Sequence, residues 1–583
     1  MSRRARLLAL LAVLALLAGC GLPLSGGVKS VGSVPETDSG TDPISVLPPG
    51  PQKGAAPEDI VRGFLVAQSS PRNDHGVARS FLVPELQRTW DDEAGVVVYD
   101  PATLSVGATS VEGGAAVQVS FSTVGRVAAD GSATVQAGRM QSLTYVLRQD
   151  AAGQWRLADV PAGLTLSPSD RDRSYAATSV MYLAVGSGDP HLVPDRVLIS
   201  VDGERARRLV DRVVAGPSAG LGSSGRTAVP AGTTVRAVST NAAGEVAVDL
   251  SAGVGDLPLA SRDALAAQLV WTLKTGLGDS FSRLRLLSGG QPVVLDSGTS
   301  PVPRAAYAGF DPEGNGRSPV GLALVAGVIV ALQDEDGTAG RPDPSSTGSV
   351  TSTPVTDAVA DVRSGRVALL AGSGAAQVLQ VTTAGGPPIT LLAGPGLLSP
   401  TWGDATHGVW FVRTGPSGGI LTVRPGAPPV AVRATGLPVL GPDAVLRVSR
   451  DGARVAVVSE GVLRLGRVAV SDDGALEVVD LRMLVAAGVR DVAWVDGTEL
   501  AVLVADDQPP LLPLLRLSVD GTARPATGLL NGAESLTVAV TASGDAPLLV
   551  ETQLAGVSTT YRGTAGAGFQ VEATGASRPR YPD

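Results

Sequence analysis

Leu446-Arg447-Val448-Ser449-Arg450-Asp451-Gly452-Ala453-Arg454-Val455-Ala456-Val457-Val458 reads as a strand, a Gly-containing turn and a second, almost wholly apolar strand. The same line recurs on both sides. Val359-Ala360-Asp361-Val362-Arg363-Ser364-Gly365-Arg366-Val367-Ala368-Leu369-Leu370 precedes it, as does Pro400-Thr401-Trp402-Gly403 running to Val409-Trp410-Phe411-Val412. Val492-Ala493-Trp494-Val495-Asp496-Gly497 running to Leu500-Ala501-Val502-Leu503 follows, and so does Val538-Ala539-Val540-Thr541-Ala542-Ser543-Gly544 running to Leu548-Leu549-Val550. The turn glycines Gly365, Gly403, Gly452, Gly497 and Gly544 lie 38, 49, 45 and 47 residues apart, the period of a four-stranded propeller blade. A blade cannot cover both its faces alone and buries them only against its neighbours, which is why the line must repeat. Residues 305–345 fit an earlier blade, so residues 301–583 are expected to form an all-β propeller of about six blades. The apolar run Val320 to Leu332 is too short to span a bilayer, and Gly327 divides it into two strand-length halves.

Upstream, the pattern changes to mixed helix and strand. Strands at Ser179 to Val185 and Arg196 to Val201 precede a helix from Glu204 to Ala215, stopped by Gly216-Pro217. Val229-Pro230-Ala231-Gly232-Thr233, Glu245-Val246-Ala247-Val248-Asp249-Leu250-Ser251 and a long amphipathic helix from Arg262 to Thr275 follow, the last containing Gln268-Leu269-Val270-Trp271-Thr272-Leu273. In this order the motifs of residues 175–300 are similar to the GerMN domain of extracytoplasmic sporulation and envelope proteins. Residues 57–170 hold two short helical pieces, around Ile60, Phe64 and Leu65 and around Val77, Phe81 and Leu82. Strands follow, ending in a hairpin from Leu143-Thr144-Tyr145-Val146-Leu147 through Asp150 to Trp155-Arg156-Leu157. This pattern resembles the NTF2-like α+β fold. The expected fold class is therefore multidomain: two small α+β domains followed by the propeller.

Residues 1–19 have a basic start, an apolar run from Leu7 to Leu17 and then Leu17-Ala18-Gly19-Cys20, a secretory signal with too short an apolar core to remain as a membrane span. The small residues before Cys20 form a lipobox similar to that of bacterial lipoproteins. That resemblance implies cleavage between Gly19 and Cys20, a diacylglyceryl group on the Cys20 thiol and N-acylation of the new terminus. Two or more acyl chains give stable anchoring, placing the protein on the outer face of the cell membrane. Residues 20–56 are rich in Gly, Pro, Ser and Thr and read as a tether with a reach of roughly 30 to 35 Å.

Cys20 is the only cysteine among 583 residues, which excludes an intramolecular disulfide, a Cys-based zinc site and an iron–sulfur cluster. His75, His191 and His407 are too far apart in sequence for a His-pair metal motif, and no metal or cofactor is expected. The net charge of -9, carried by 43 Arg and 3 Lys against 55 Asp and Glu, argues against a nucleic-acid surface.

Two Gly-x-Ser-x-Gly matches, at Ser218 and Ser417, lack the strand-turn-helix setting of a hydrolase elbow. Asp404 with His407, between Trp402 and Trp410, is a possible base pair or an exposed turn. Asp334-Glu335-Asp336-Gly337 and Asp472-Asp473-Gly474 lack calcium-loop spacing, and Gly394-Pro395-Gly396 lacks the lysine of a phosphate cradle. No catalytic residue is expected.

The order of lipobox, α+β domain, GerMN-like domain and propeller resembles the LpqB family of actinobacterial lipoproteins across essentially the whole mature chain. The resemblance implies a non-catalytic accessory protein of a two-component system of the MtrA-MtrB type. Its partner would be the extracellular domain of the sensor histidine kinase MtrB, and its effect would fall on envelope homeostasis and division. The alternative from a different class is an envelope glycan-binding or cell-wall hydrolytic protein using the propeller.

Overall fold

The computed structural model describes residues 47–185, 191–312, 320–332, 353–383, 386–403, 407–416, 418–505, 514–526, 533–538, 547–564 and 568–583. From Pro48 onward they form one compact unit.

The first part opens with helix Pro57–Ala67, whose Pro at the first turn and acidic Glu58 and Asp59 suit a helix N-terminus. It buries Ile60, Val61, Phe64 and Leu65. Segment Arg72–Arg79, whose Asn73, Asp74 and His75 leave the right-handed helical region, and short helix Pro84–Thr89 follow. The sheet runs in the spatial order Trp155–Asp159, Ala133–Gln149, Gly114–Ala128, Gly95–Tyr99, Leu164–Leu166, with Ser105–Val111 also pairing on Gly114–Ala128. Val117, Val119 and Phe121 alternate into a core closed by Phe64, Phe81, Trp90 and Tyr145, the rings of Phe64 and Trp90 lying 5.3 Å apart. The Gly114–Ala128 and Ala133–Gln149 strands, 15 and 17 residues long, far exceed the usual five or six. Their tip extends past this core as an arm that reaches the two other parts.

In the second part, strands Tyr175–Ala184 and Leu192–Ser200 pair antiparallel. A second sheet holds Val235–Thr240, Glu245–Leu250 and Arg283–Ser288. Helix Arg205–Ala215 ends at Gly216, whose φ of 89° a residue with a Cβ rarely adopts. Helix Leu259–Leu277 departs from the amphipathic expectation: from Ala264 to Leu273 every residue is buried. It is a central helix, and its polar residues are there for the backbone. Gln268 Nε2 donates to the Met181 carbonyl (3.0 Å), its Oε1 accepts from the Ala228 amide (2.6 Å), and Thr272 Oγ1 accepts from the Met181 amide (2.9 Å). Residues 302–310, assigned by pattern to the propeller, pack here instead. Val302 pairs with Leu284, and Trp271 Nε1 donates to the Tyr307 carbonyl at 2.9 Å.

The remainder is six sheets among the described residues. Val355–Ala360, Leu397–Trp402, Val445–Val448, Val489–Trp494 and Ala533–Val538 each form the edge strand from which a sheet proceeds. Contacts run between these strands in that order and then through Ala576–Arg580 back to Val355–Ala360. They are the inner strands of a closed propeller. Ala576–Arg580 pairs antiparallel with Leu322–Val325, which pairs in turn with Val328–Ala331, so the last strand completes the first blade. Six apolar clusters fill the six gaps between neighbouring blades. Trp402 Nε1 donates to the Val359 carbonyl (3.0 Å) and Trp494 Nε1 to the Arg447 carbonyl (3.1 Å), each tying one inner strand to that of the preceding blade.

Candidate functional site

The third residues of four successive inner strands, Asp357, Ser399, Arg447 and Asp491, are polar and buried. Register irregularities fall at Val355/Asp357, Leu398/Thr401, Val489/Asp491 and Ala533/Ser535, and such bulges re-aim a side chain. The result is a polar ring where apolar alternation alone would give an apolar one. Arg447 Nη2 donates to Asp491 Oδ1 (3.0 Å) and its Nη1 to Ser399 Oγ (2.8 Å). Asp357 and Asp491 each also accept the amide of the next residue, at 2.9 and 2.8 Å. Ser399 and Arg578 carry φ of 52° and 50°, strained for residues with a Cβ.

Asp357, Ser399, Arg447 and Asp491 line a cavity of about 560 Å³ together with turn residues such as Gly372, Ser373 and Pro442 and with Arg578 and Arg580 of the last strand, within the range of small-ligand sites. Arg447, Arg490, Arg578 and Arg580 line it, against Asp357, Asp443 and Asp491. Burial, and then the Arg580 charge, pull the Arg447 guanidinium below its usual range. Burial would lower Arg580 also, but Asp583, Asp357 and Asp491 outweigh it and hold Arg580 above.

The opposite face of the propeller, at the carboxyl ends of the inner strands, seats the other two parts. Arg454, 2% exposed, donates to the Pro194 carbonyl through Nη2 (2.7 Å) and to the Gly497 carbonyl through Nη1 (2.8 Å). Its Nη1 also lies 3.5 Å from Asp451 Oδ2. His191 Nε2 donates to the Asp451 carbonyl (2.9 Å), Arg467 Nη1 to the Leu221 carbonyl (2.7 Å) and Arg196 Nε to Asp520 Oδ2 (3.0 Å). The long hairpin arm joins the same junction. Gly131 accepts the Leu198 amide (2.9 Å), Asp130 Oδ2 accepts the Ala219 amide (2.7 Å), and the Val135 amide donates to the Asp520 carbonyl (3.3 Å).

Of the residues singled out by sequence, Cys20, Gly19, Asp404, Ser417 and Asp334 to Asp336 lie outside the described residues. Ser218 is a structural turn residue: its amide (2.7 Å) and hydroxyl (2.8 Å) both donate to Asp195, a carboxylate that burial pushes above its usual pKa. His407 meets Trp410 edge-on at 6.5 Å. Asp473 is bound to Arg433 (2.6 Å) and Ser471 (2.5 Å) at a hairpin tip. Gly396 donates its amide to Gln377 Oε1 (2.8 Å) as part of an ordinary turn. Among the described residues no group of three or more His, Cys, Asp and Glu could hold a metal ion, and no helix is long and apolar enough to cross a membrane. Sequence reading passed over the polar ring: of its members only Arg447 falls inside the repeated lines that mark the blades.

Three family models match: "Lipoprotein LpqB, N-terminal domain" over residues 50–172, "Sporulation and spore germination" (Germane) over 180–294, and "Lipoprotein LpqB beta-propeller domain" over 327–582. Lipoprotein LpqB of Cutibacterium acnes is 30% identical over 560 residues, 91% of this chain and 90% of that protein. The chain belongs to the LpqB lipoproteins. A further LpqB, from Rhodococcus jostii, is 27% identical over 540 residues, 88% of this chain and 86% of the relative. The first part is thus described by the LpqB amino-terminal family, and the NTF2-like label gains no support from these matches. The second part is GerMN-like and the third a propeller. Among solved structures, the first GerMN domain of GerM from Bacillus subtilis aligns with 18% identity and a TM-score of 0.19, covering 22% of this chain and 93% of that one. TolB from Acinetobacter baumannii aligns with 12% identity and a TM-score of 0.34, covering 49% and 75%. LpqB relatives carry the name of lipoproteins, a lipid-anchored and membrane-associated class, and no enzyme family is among the three matching models.

Proposed function

We propose that this LpqB-family chain is a non-catalytic accessory protein of a two-component system of the MtrA-MtrB type. In this reading it is anchored through Cys20 on the outer face of the cell membrane and binds the extracellular domain of the sensor kinase. The observation that carries the reading is the match to LpqB lipoproteins along about nine-tenths of the chain. The lipobox Leu17-Ala18-Gly19-Cys20 supports the location. Among the described residues the other two parts seat on one propeller face and not on the opposite one, which suits a protein that works by presenting a surface. Of the stretch read as a tether, residues 20–56, the part up to Leu47 supplies the reach in this reading, since from Pro48 the chain belongs to the compact unit.

Crosslinking of the full chain in envelope membranes, followed by identification of the captured kinase, tests the partner. Recovery of the kinase sensor domain is expected, and its absence from a crosslinked set that contains other membrane proteins overturns the partnership. Cys20→Ser is expected to shift the protein from the membrane to the soluble fraction; retention at the wild-type level refutes the anchor.

A further inference from the structure

We infer that the cavity at the open mouth of the propeller is a binding site for a peptide chain end, taking its terminal carboxylate on the Arg490 and Arg578 guanidiniums. The buried arginines of the cavity are already matched. Arg447 is held by Asp491 and Ser399, while Arg580 pairs with Asp583 at 3.5 Å and donates to the Pro400 carbonyl at 3.3 Å. Arg490 and Arg578 differ. Both line the cavity, both are exposed, and neither guanidinium has an ion-pair or hydrogen-bond partner among the described residues.

The backbone of Arg578 is held in the left-handed region while its amide donates to Glu551 Oε2 at 2.9 Å. The strand therefore keeps a strained residue at the mouth, as functional sites do. A guanidinium with free donors above a concave, partly apolar cavity is a fork for a carboxylate. With Arg447 paired to Asp491 and Arg580 to Asp583, Arg490 and Arg578 are the guanidiniums of the lining left for an anion. Leu370, Leu398 and Val445 on the same lining give the last side chains of a peptide an apolar wall, and the cavity volume of about 560 Å³ is ample for a chain end of a few residues. The mouth lies on the face away from the interdomain seat, and among the described residues neither of the other two parts covers it. The inference is independent of the kinase: the cavity can bind a chain end whether or not the kinase is the partner.

The test is calorimetric titration of the full chain in detergent with N-acetylated trialanine. The probe is used with a free carboxylate, as its terminal amide, and with either an L- or a D-terminal residue; inorganic phosphate is titrated alongside. The free carboxylate is expected to bind about 10-fold tighter than the amide, and Arg490→Gln and Arg578→Gln each to weaken it about 10-fold. The thermal midpoint should stay unchanged, since both side chains are exposed and unpartnered. Preference for the L end points to a protein terminus and preference for the D end to a cell-wall stem peptide; either supports the site. Equal binding of acid and amide, phosphate binding as tight as the carboxylate, no heat from any probe, or unchanged affinity in both variants overturns it.

Discussion

His75 is the last of three consecutive residues, with Asn73 and Asp74, whose φ of 50°, 56° and 52° lie where only glycine is comfortable. Contacts hold the run in place. Arg79 donates to the Asp74 carbonyl and to Asp92 Oδ1, both at 2.7 Å, and stacks on Trp90, while the His75 ring meets Trp90 edge-on at 6.2 Å. Burial lowers the His75 pKa below 6.5, Asp92 and Asp74 oppose that shift, and Arg79 and Arg208 add to it. The sign follows. Above pH 6.5 the imidazole is neutral in both folded and unfolded chains, whereas below it the unfolded chain takes up a proton that the folded one resists. The first part should therefore lose stability as pH falls through 6.5. Thermal scans on both sides of that pH should show the loss, and His75→Gln should flatten it; a variant as pH-sensitive as the parent would refute the assignment. Nothing in the local sequence, Arg72-Asn73-Asp74-His75-Gly76, announces this burial, because it is imposed by Trp90 and Asp92 from a later segment.

Among elements, Ala576–Arg580 has the largest effect for its size. Ala576 and Tyr581 are buried in the cluster with Ala323, Leu332 and Leu549 that joins the last blade to the first. Deleting residues 576–583 opens that cluster and leaves Leu322–Val325 an unpaired edge, a loss of about 3 kcal/mol or more. Calorimetry should then show the propeller transition shifted well downward or broadened, and an unchanged transition would refute the closure. The blades themselves were legible because each repeats an apolar strand, a Gly turn and an apolar strand. Ala576-Ser577-Arg578-Pro579-Arg580 was not legible as a strand: its two arginines and proline read as a polar tail, and only its place in the ring makes it an inner strand. The polar ring escaped for a related reason. Ser399, Arg447, Asp491 and Asp357 stand four, five, six and eight residues before their turn glycines, so alignment on those glycines puts the ring residues out of step. Helix Leu259–Leu277 was found, but the burial of every residue from Ala264 to Leu273 depends on two sheets that its own periodicity does not record.

At the scale of the whole molecule, the junction of three parts rests on close approach as much as on hydrogen bonds. A Cβ on Gly497 would stand 2.5 Å from Asp451 Oδ2 and 2.6 Å from Pro194 Cγ, so this position is closed to any side chain while the seat is formed. Removing the Arg454 guanidinium leaves Asp451 buried without its cation. Arg454→Gln should weaken the seat by about 3 kcal/mol, and Gly497→Ala should push the parts apart. Both should turn a shared thermal transition into separate ones and raise the radius of gyration in solution scattering; two variants scattering like the parent would refute a rigid seat. The closing strand also imposes an order in time. A chain emerging from its amino terminus can finish the first two parts from neighbouring segments, but Leu322–Val325, paired on one side with Val328–Ala331, gains its second partner only once Arg580 has been made. Pairings so distant in sequence form late, and an open hairpin edge waiting for its mate is the place where two copies pair with each other. Propeller closure is thus expected to be a late step of folding, and half-made chains at high concentration to be the species most exposed to mispairing.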